Sequence, residues 1–586
     1  MNKGLPVSPG IVVGSAYCIS EIFVNLSTDA LQDDEVLPEM ARYEAARDLA
    51  ARDLRAAAKK VTQQSGQEQG AIFKVHESIL FDSAFTEKIR DGIVHERLSA
   101  QAALQGVLNE YASLFARTKD PYLRERVSDV RDVVVRLSGH LSEVLQPSSE
   151  LQTGPLILVA DELLPSHVIT LGNREVAGIV TQSGGQTSHA AILARSRGIP
   201  AVSGVAGLLK RVKNNDTLVV DGRDGLVIIN PDPETESAYR KLQREFFHLK
   251  DQLAENRDKP ALSADGERVQ LLANINGPAD VKAAHAMGAD GVGLYRTEYL
   301  FLTHSSAPGE KEQSKIYKEI AHHAPNHRAT IRTLDLGGDK TIPYLDSRKE
   351  ANPFMGWRSI RLSFEHPELF ATQIRSILQA GEPSDDVKPD VRILFPMITA
   401  LEEVRKVRTL VRAARKYLLE RGHQLGQVPV GLMLEVPAAA VTIDTLLPEV
   451  DFVSIGSNDL VQYLMAADRD NPKVSHLCQP LSLAVLRVLQ QVITACNRAG
   501  KPVTLCGEMA GSPRGFVLLY GMGLRSFSMS PAFIPTVKDL LSRLTTKRAE
   551  KILQHALQLK TNRRLSGYMA KELAEIAPNL KLLDTK

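Results

Sequence analysis

No stretch of the chain approaches the ~20 consecutive apolar residues that cross a bilayer. The opening MNKGLP has no apolar signal region either. Membrane insertion and secretion are therefore not expected. Only four cysteines are present, Cys18, Cys478, Cys496 and Cys506. They are too few and too scattered for a disulfide framework or a metal cluster, which predicts reduced thiols and a cytoplasmic protein. Charge of one sign is missing as well. Lys and Arg total 71 against 69 Asp and Glu, a net charge of +2, so nothing favours a nucleic-acid binder or a membrane-surface protein. The 43 % apolar content is that of an ordinary folded chain, and 586 residues suffice for three or four domains.

What is present changes character along the chain. Residues 1–20 read as strand, turn, strand, punctuated by Pro6, Pro9 and Gly10. Helical spacing then takes over, with expected helices near 35–64, 71–81, 100–115 and 127–145. Short β-branched segments return at 156–160, 178–181, 201–202, 218–220 and 225–229. The simplest account joins the first strands to this later sheet. Residues 1–21 and 146–231 then form one discontinuous α/β domain, and 22–145 is an inserted all-α domain. A helix over about 234–257 has Tyr239, Leu242, Phe246, Leu249 and Leu253 in a heptad seam. It makes 232–260 a helical linker with hinges expected near Asp232–Pro233 and Lys259–Pro260.

From 265 on, strand-like runs at 269–275, 291–295, 330–334, 391–395, 430–434, 452–455, 503–506 and 526–529 alternate with helical ones. That predicts a (β/α)8 TIM barrel over 261–575, followed by a tail at 576–586, with a doubly wound open sheet as the alternative. The barrel is favoured because polar residues follow so many of the strands, and in a barrel all those ends meet at one mouth.

Two places carry chemistry. In GGQTSHAAILAR, at 184–195, His189 falls in the first turn of an alanine-rich helix. A helix N-terminus favours a phosphoryl group and disfavours imidazolium, so a neutral ring nitrogen is left free to attack. His189 is thus a candidate phosphate-accepting nucleophile. The same residues also suit a capped helix with a half-buried histidine. The second place is the row of strand ends: Arg296, Arg332, Lys340, Glu435, Asn458, Asp459, Arg469 and Cys506, with Arg358 and Arg361 in an expected helix after NPFMGW. Arginines grip phosphate and carboxylate bidentately, and several converging without an anion would repel one another. Glu435 and Asp459 suit Mg²⁺, with waters and substrate oxygens completing the shell. A small, doubly anionic substrate follows. Most solitary cysteines are small buried hydrophobes, but Cys506 ends a strand, where a thiol of ordinary pKa, ~8.5, is able to donate a proton at neutral pH.

These residues sit in motifs that resemble one family nearly end to end: GLPVSPGIVVGSA, YLRERVSDVRDV, GGQTSHAAILARSRGIPAV, GVGLYRTEYLF, RTLDLGGDK, NPFMGWRSIRL, MLEVPAA, IGSNDLVQYLMAADR, CGEMAG and GLRSFSMSP. The family is phosphoenolpyruvate–protein phosphotransferase, enzyme I of the bacterial sugar phosphotransferase system. The resemblance implies a swivelling phosphohistidine domain with His189 as the phosphorylated residue. It implies phosphoenolpyruvate held by Arg296, Arg332 and Arg469, with help from Arg358 and Lys340. Asn458 and Asp459 would contact the phosphate, Glu435 and Asp459 would hold Mg²⁺, and Cys506 would protonate the enolpyruvate. The helical insertion would dock the phosphocarrier protein HPr, and the barrel would form a homodimer. Two positions depart from the family: Gln186 where arginine is usual, and Asp470 where glycine is common.

Rival readings are a pyruvate phosphate dikinase or phosphoenolpyruvate synthase relative, a nitrogen-regulatory paralogue, and a regulatory protein that binds without turnover. The first needs a large nucleotide-binding domain, and the ~125-residue helical block shows no glycine-rich phosphate loop. The second usually carries an extra N-terminal sensory domain, and the third is disfavoured by the intact set of reacting residues.

Overall fold

The computed structural model describes residues 2–8, 10–19, 30–65, 73, 76–116, 121–141, 155–161, 176–183, 194, 199–302, 306–337, 350, 352–384, 386–469, 471 and 473–582. His189, Gln186, Lys340 and Asp470 lie outside them. Two compact units emerge, residues 1–247 and 248–584. Among the described residues no helix is long and apolar enough to cross a membrane.

The first unit contains one eight-stranded sheet. Its strands are β1 (Asn2–Lys3), β2 (Leu5–Ser8), β3 (Ile11–Cys18), β4 (Leu156–Ala160), β5 (Val176–Thr181), β6 (Ala201–Ser203), β7 (Thr217–Asp221) and β8 (Leu226–Ile229). The order is β1-β8-β7-β3-β4-β5-β6-β2. As expected, the first strands join the later ones. β3 runs parallel to β4, with Ser15 opposite Leu156, and antiparallel to β7. Period-two alternation explains why β4 is apolar throughout: Ile157 and Val159 pack in one core, Leu156 and Leu158 in another. Gly14 allows the close approach of β3 to the next segment, because a Cβ there would lie 2.3 Å from Pro155 O.

Between β3 and β4 come helices Val36–Ser65, Ser83–Val94, Ala100–Ala116 and Pro121–Leu141, with residues 73 and 76–80 also helical. They share a core of Tyr43, Leu54, Leu80, Phe85, Ile89, Leu104, Val134 and Leu137. Within it His76 Nδ1 lies 2.9 Å from Asp132 Oδ2, both side chains being buried. Helix Ser83–Val94 was not anticipated from the sequence. Gly92 and the β-branched ends weaken its intrinsic propensity. Asp82 caps it, accepting from Phe85 N at 3.0 Å, and Phe85, Ile89 and Ile93 bury one face.

The second unit is a closed barrel of eight strands, which settles barrel against open sheet. The strands are β9 (Gln270–Ile275), β10 (Val292–Arg296), β11 (Arg328–Arg332), β12 (Asp390–Phe395), β13 (Val430–Leu434), β14 (Phe452–Ile455), β15 (Val503–Leu505) and β16 (Ser526–Met529). All neighbours are parallel, and β16 closes on β9 with Met529 opposite Ala273. The strands are near-continuous apolar runs because helices cover the outside and side chains fill the inside. Leu294, Leu394, Met433, Phe452 and Cys506 form a separate cluster of their own. The surrounding core includes Ile576, Ala577 and Leu580, from the segment read as a tail. Helix Pro233–Ala254 begins at Asp232, which accepts from Thr235 N at 2.8 Å. The division between the two units falls within this helix, between residues 247 and 248.

Candidate active site

The loops after the barrel strands bring the expected arginines and carboxylates together. Arg332, the last residue of β11, has Nη2 2.8 Å from Glu298 Oε1 and 3.2 Å from Asp335 Oδ2. Arg358 Nη2 lies 3.0 Å from Asp335 Oδ1 and 3.5 Å from Asp459 Oδ2. Arg469 Nη1 lies 3.4 Å from Asp459 Oδ1. The result is a chain of alternating charges from the β10 loop to the β14 loop: Glu298, Arg332, Asp335, Arg358, Asp459, Arg469. Arg332 and Arg358 are both 6 % exposed. Burial alone would make each guanidinium easier to deprotonate. For Arg332 the charges of Glu298, Asp335 and Glu435 outweigh it, and for Arg358 those of Asp335, Asp459 and Glu435, so both remain firmly cationic.

This corrects one expectation. The arginines do not rely on a substrate anion alone to offset their mutual repulsion, because Glu298 and Asp335 neutralise them from within the protein. Glu298 is fully buried and also accepts from Asp335 N at 3.1 Å. Neither carboxylate was assigned a role from sequence. The signal was there: each follows an arginine by two or three residues at a strand end, and buried cations require buried anions.

The backbone is shaped to hold this array. Arg358 precedes the short helix Ile360–Glu365 rather than lying in it, and Ser359 adopts a left-handed φ of 56°. Ser359 Oγ donates to Asp335 Oδ1. Gly337, with φ 106°, is needed because a Cβ would lie 2.4 Å from Trp357 O. Arg361 turns away to donate to Met355 O and Gly356 O, each at 2.9 Å, so it braces the loop. Arg296 Nη1 donates to Asn276 Oδ1 at 3.3 Å, outside the alternating chain. Asn458 Oδ1 accepts from Glu508 N at 3.0 Å, which ties the β14 loop to the β15 loop. Tyr463, not anticipated, accepts from Arg358 Nη1 at 3.4 Å and donates to Phe354 O at 2.5 Å.

Glu435 follows β13 and is 1 % exposed. Its Oε1 accepts from Met397 N at 2.7 Å. Burial, then the charges of Asp459 and Asp335, push its carboxyl up to about 8 against the pull of Arg332 and Arg358. Asp459 Oδ1 is buried and takes no hydrogen bond from the protein. Two buried carboxylates, one raised and one with an oxygen that takes no hydrogen bond and is held only by the ion pair with Arg469, fit a divalent cation. Among the described residues no three His, Cys, Asp or Glu side chains are grouped to hold an ion by themselves. The remaining sites would fall to water and substrate oxygens, as Mg²⁺ accepts.

Cys506 lies just past β15 and is 3 % exposed. Cys496 is buried, while Cys18 and Cys478 are half-buried.

Comparison with known proteins matches this sequence to a family. The PEP-binding domain of PEP-utilising enzymes matches residues 250–546, their N-terminal domain matches 3–126, and their mobile domain matches 153–225. The phosphoenolpyruvate-protein phosphotransferase of Bacillus sp. (strain S) is 39 % identical over 95 % of this chain and 96 % of its own. That of Staphylococcus carnosus is 37 % identical over 96 % and 97 %. That of Haemophilus influenzae is 36 % identical over 99 % and 100 %. The chain belongs to the phosphoenolpyruvate-protein phosphotransferase family of PEP-utilising enzymes. Within this family chain, the PEP-binding match spans the strand ends that carry the charge array, from Arg296 to Cys506. The mobile-domain match spans the His189 motif.

Proposed function

We propose that this chain transfers the phosphoryl group of phosphoenolpyruvate, through a phosphohistidine at His189, to a histidine of an HPr-type phosphocarrier, releasing pyruvate as the first step of a sugar phosphotransferase system in the cytoplasm. The observation that carries this reading is the alternating charge array at the barrel strand ends, with a buried thiol at the end of β15. A small dianion suits arginines that are already oriented by carboxylates. Arg296, Arg332 and Arg469 bind phosphoenolpyruvate in this reading, and Arg358 and Lys340 assist. Asn458 and Asp459 meet the phosphate. Glu435 and Asp459 hold Mg²⁺, which when bound neutralises charge on the transferring group.

His189 attacks phosphorus, and the bond to the enol oxygen breaks with its electron pair leaving on the enolate. Cys506 protonates that enolate carbon to give pyruvate. The inserted helices dock the carrier, and the barrel forms the homodimer. The test is incubation with phosphate-labelled phosphoenolpyruvate. An acid-labile, base-stable phosphoprotein is expected, absent in His189→Ala. Label kept by that variant overturns the assignment.

A further inference from the structure

Cys506 sits where a thiolate is poorly stabilised. It packs with Leu294, Leu394, Met433 and Phe452, and no apolar neighbour solvates an anion. Its Sγ donates to Ile455 O at 3.4 Å, and Ser454 Oγ donates to that sulfur at 3.3 Å. Ser454 is 1 % exposed and belongs to β14, the strand beside β15. We propose that Ser454 is a positioning residue for proton transfer from Cys506: its hydroxyl fixes the sulfur and stabilises the thiolate left behind when the proton departs. The inference rests on reading Cys506 as the proton donor.

The chemistry balances simply. The S–H bond breaks, its pair stays on sulfur, and the proton forms a C–H bond at the enolate carbon. Water restores the thiol after pyruvate leaves. The charged groups that act on the thiol are Arg332 and Arg296, which favour the thiolate, and Glu435, which opposes it. Burial opposes it most, pushing the thiol up, and the Ser454 hydrogen bond is the largest influence the other way. A hydroxyl donating to an anion is a charge-assisted bond, stronger than one to a neutral acceptor. It therefore strengthens as the proton leaves, when the acid needs it.

Ser454→Ala removes one oxygen and leaves the strand intact. The thiolate of Cys506 is read by its absorbance near 240 nm in the full chain, with Cys506→Ala as the blank. In Ser454→Ala the titration midpoint is expected to rise by about one pH unit, a tenfold smaller thiolate fraction at a given pH. Pyruvate formation should fall about three- to tenfold in kcat with KM for phosphoenolpyruvate unchanged. Ser454→Thr, which keeps the hydroxyl, should restore both. An unchanged midpoint in Ser454→Ala overturns the proposal. Parental pyruvate formation by Cys506→Ala overturns the donor reading instead, whatever the midpoint does.

Discussion

Burial makes Cys506 a weaker acid than a thiol in water, and in the proposed role of proton donor the direction of that shift sets its working range. A proton donor acts in its protonated form. Raising its pKa extends that form to higher pH and moves the alkaline loss of activity upward. The alkaline limb of kcat for pyruvate formation should therefore lie above the ordinary thiol value of ~8.5. A limb centred at or below that value would show that another group, or an unburied thiol, governs the step. The same residue shows what a sequence conveys at this scale. Cys506, Arg296, Arg332, Glu435 and Asp459 could be picked out because each lies at, or within a few residues of, the end of a strand of an expected barrel. Glu298, Asp335 and Ser454 were not, because their roles are relations. Glu298 matters for lying 2.8 Å from Arg332 Nη2, a contact between side chains 34 residues apart in sequence. Only the pairing of β10 with β11, which sets Arg296 opposite Arg332, creates that neighbour.

At the scale of elements, all eight barrel strands were legible to within about two residues, since each is a short apolar run between helical patterns. The helical block was read less completely. Helix Ser83–Val94 is only 12 residues long, and isolated helices of that length are marginal in water. Its existence depends on the Asp82 cap and on burial of Phe85, Ile89 and Ile93 in a core shared with distant helices. The cap is the part testable by itself. Asp82→Ala should destabilise the first unit by about 1 kcal/mol, or roughly 2 °C in its thermal midpoint, while Asp82→Asn should be nearly silent. Unfolding followed by far-UV circular dichroism reads the difference. Equal losses in both variants would place the effect elsewhere than in the cap.

The whole molecule holds two compact units with separate cores, and its scarcity of tryptophan makes one of them visible alone. The single Trp is Trp357, which precedes Arg358 in the barrel unit and packs at 5.6 Å against the ring of His366. Its fluorescence reports the barrel without contribution from the sheet and helices of residues 1–247. If the arginines of the barrel bind phosphoenolpyruvate, the ligand stabilises that unit by mass action, about 2.7 kcal/mol at a hundredfold excess over Kd. For a unit of this size that is about 4 °C in midpoint. The His189→Ala chain is the right material, since on the proposed reaction it would bind the ligand without consuming it. The expected outcome is a fluorescence-detected transition that rises with phosphoenolpyruvate, while the transition of the first unit, resolved by calorimetry, stays in place. Arg332→Ala on the same background should abolish the rise, because it removes a cation and strands Glu298. A rise in the first unit's transition alone would move the binding site off the barrel, and with it the donor half of the proposed reaction.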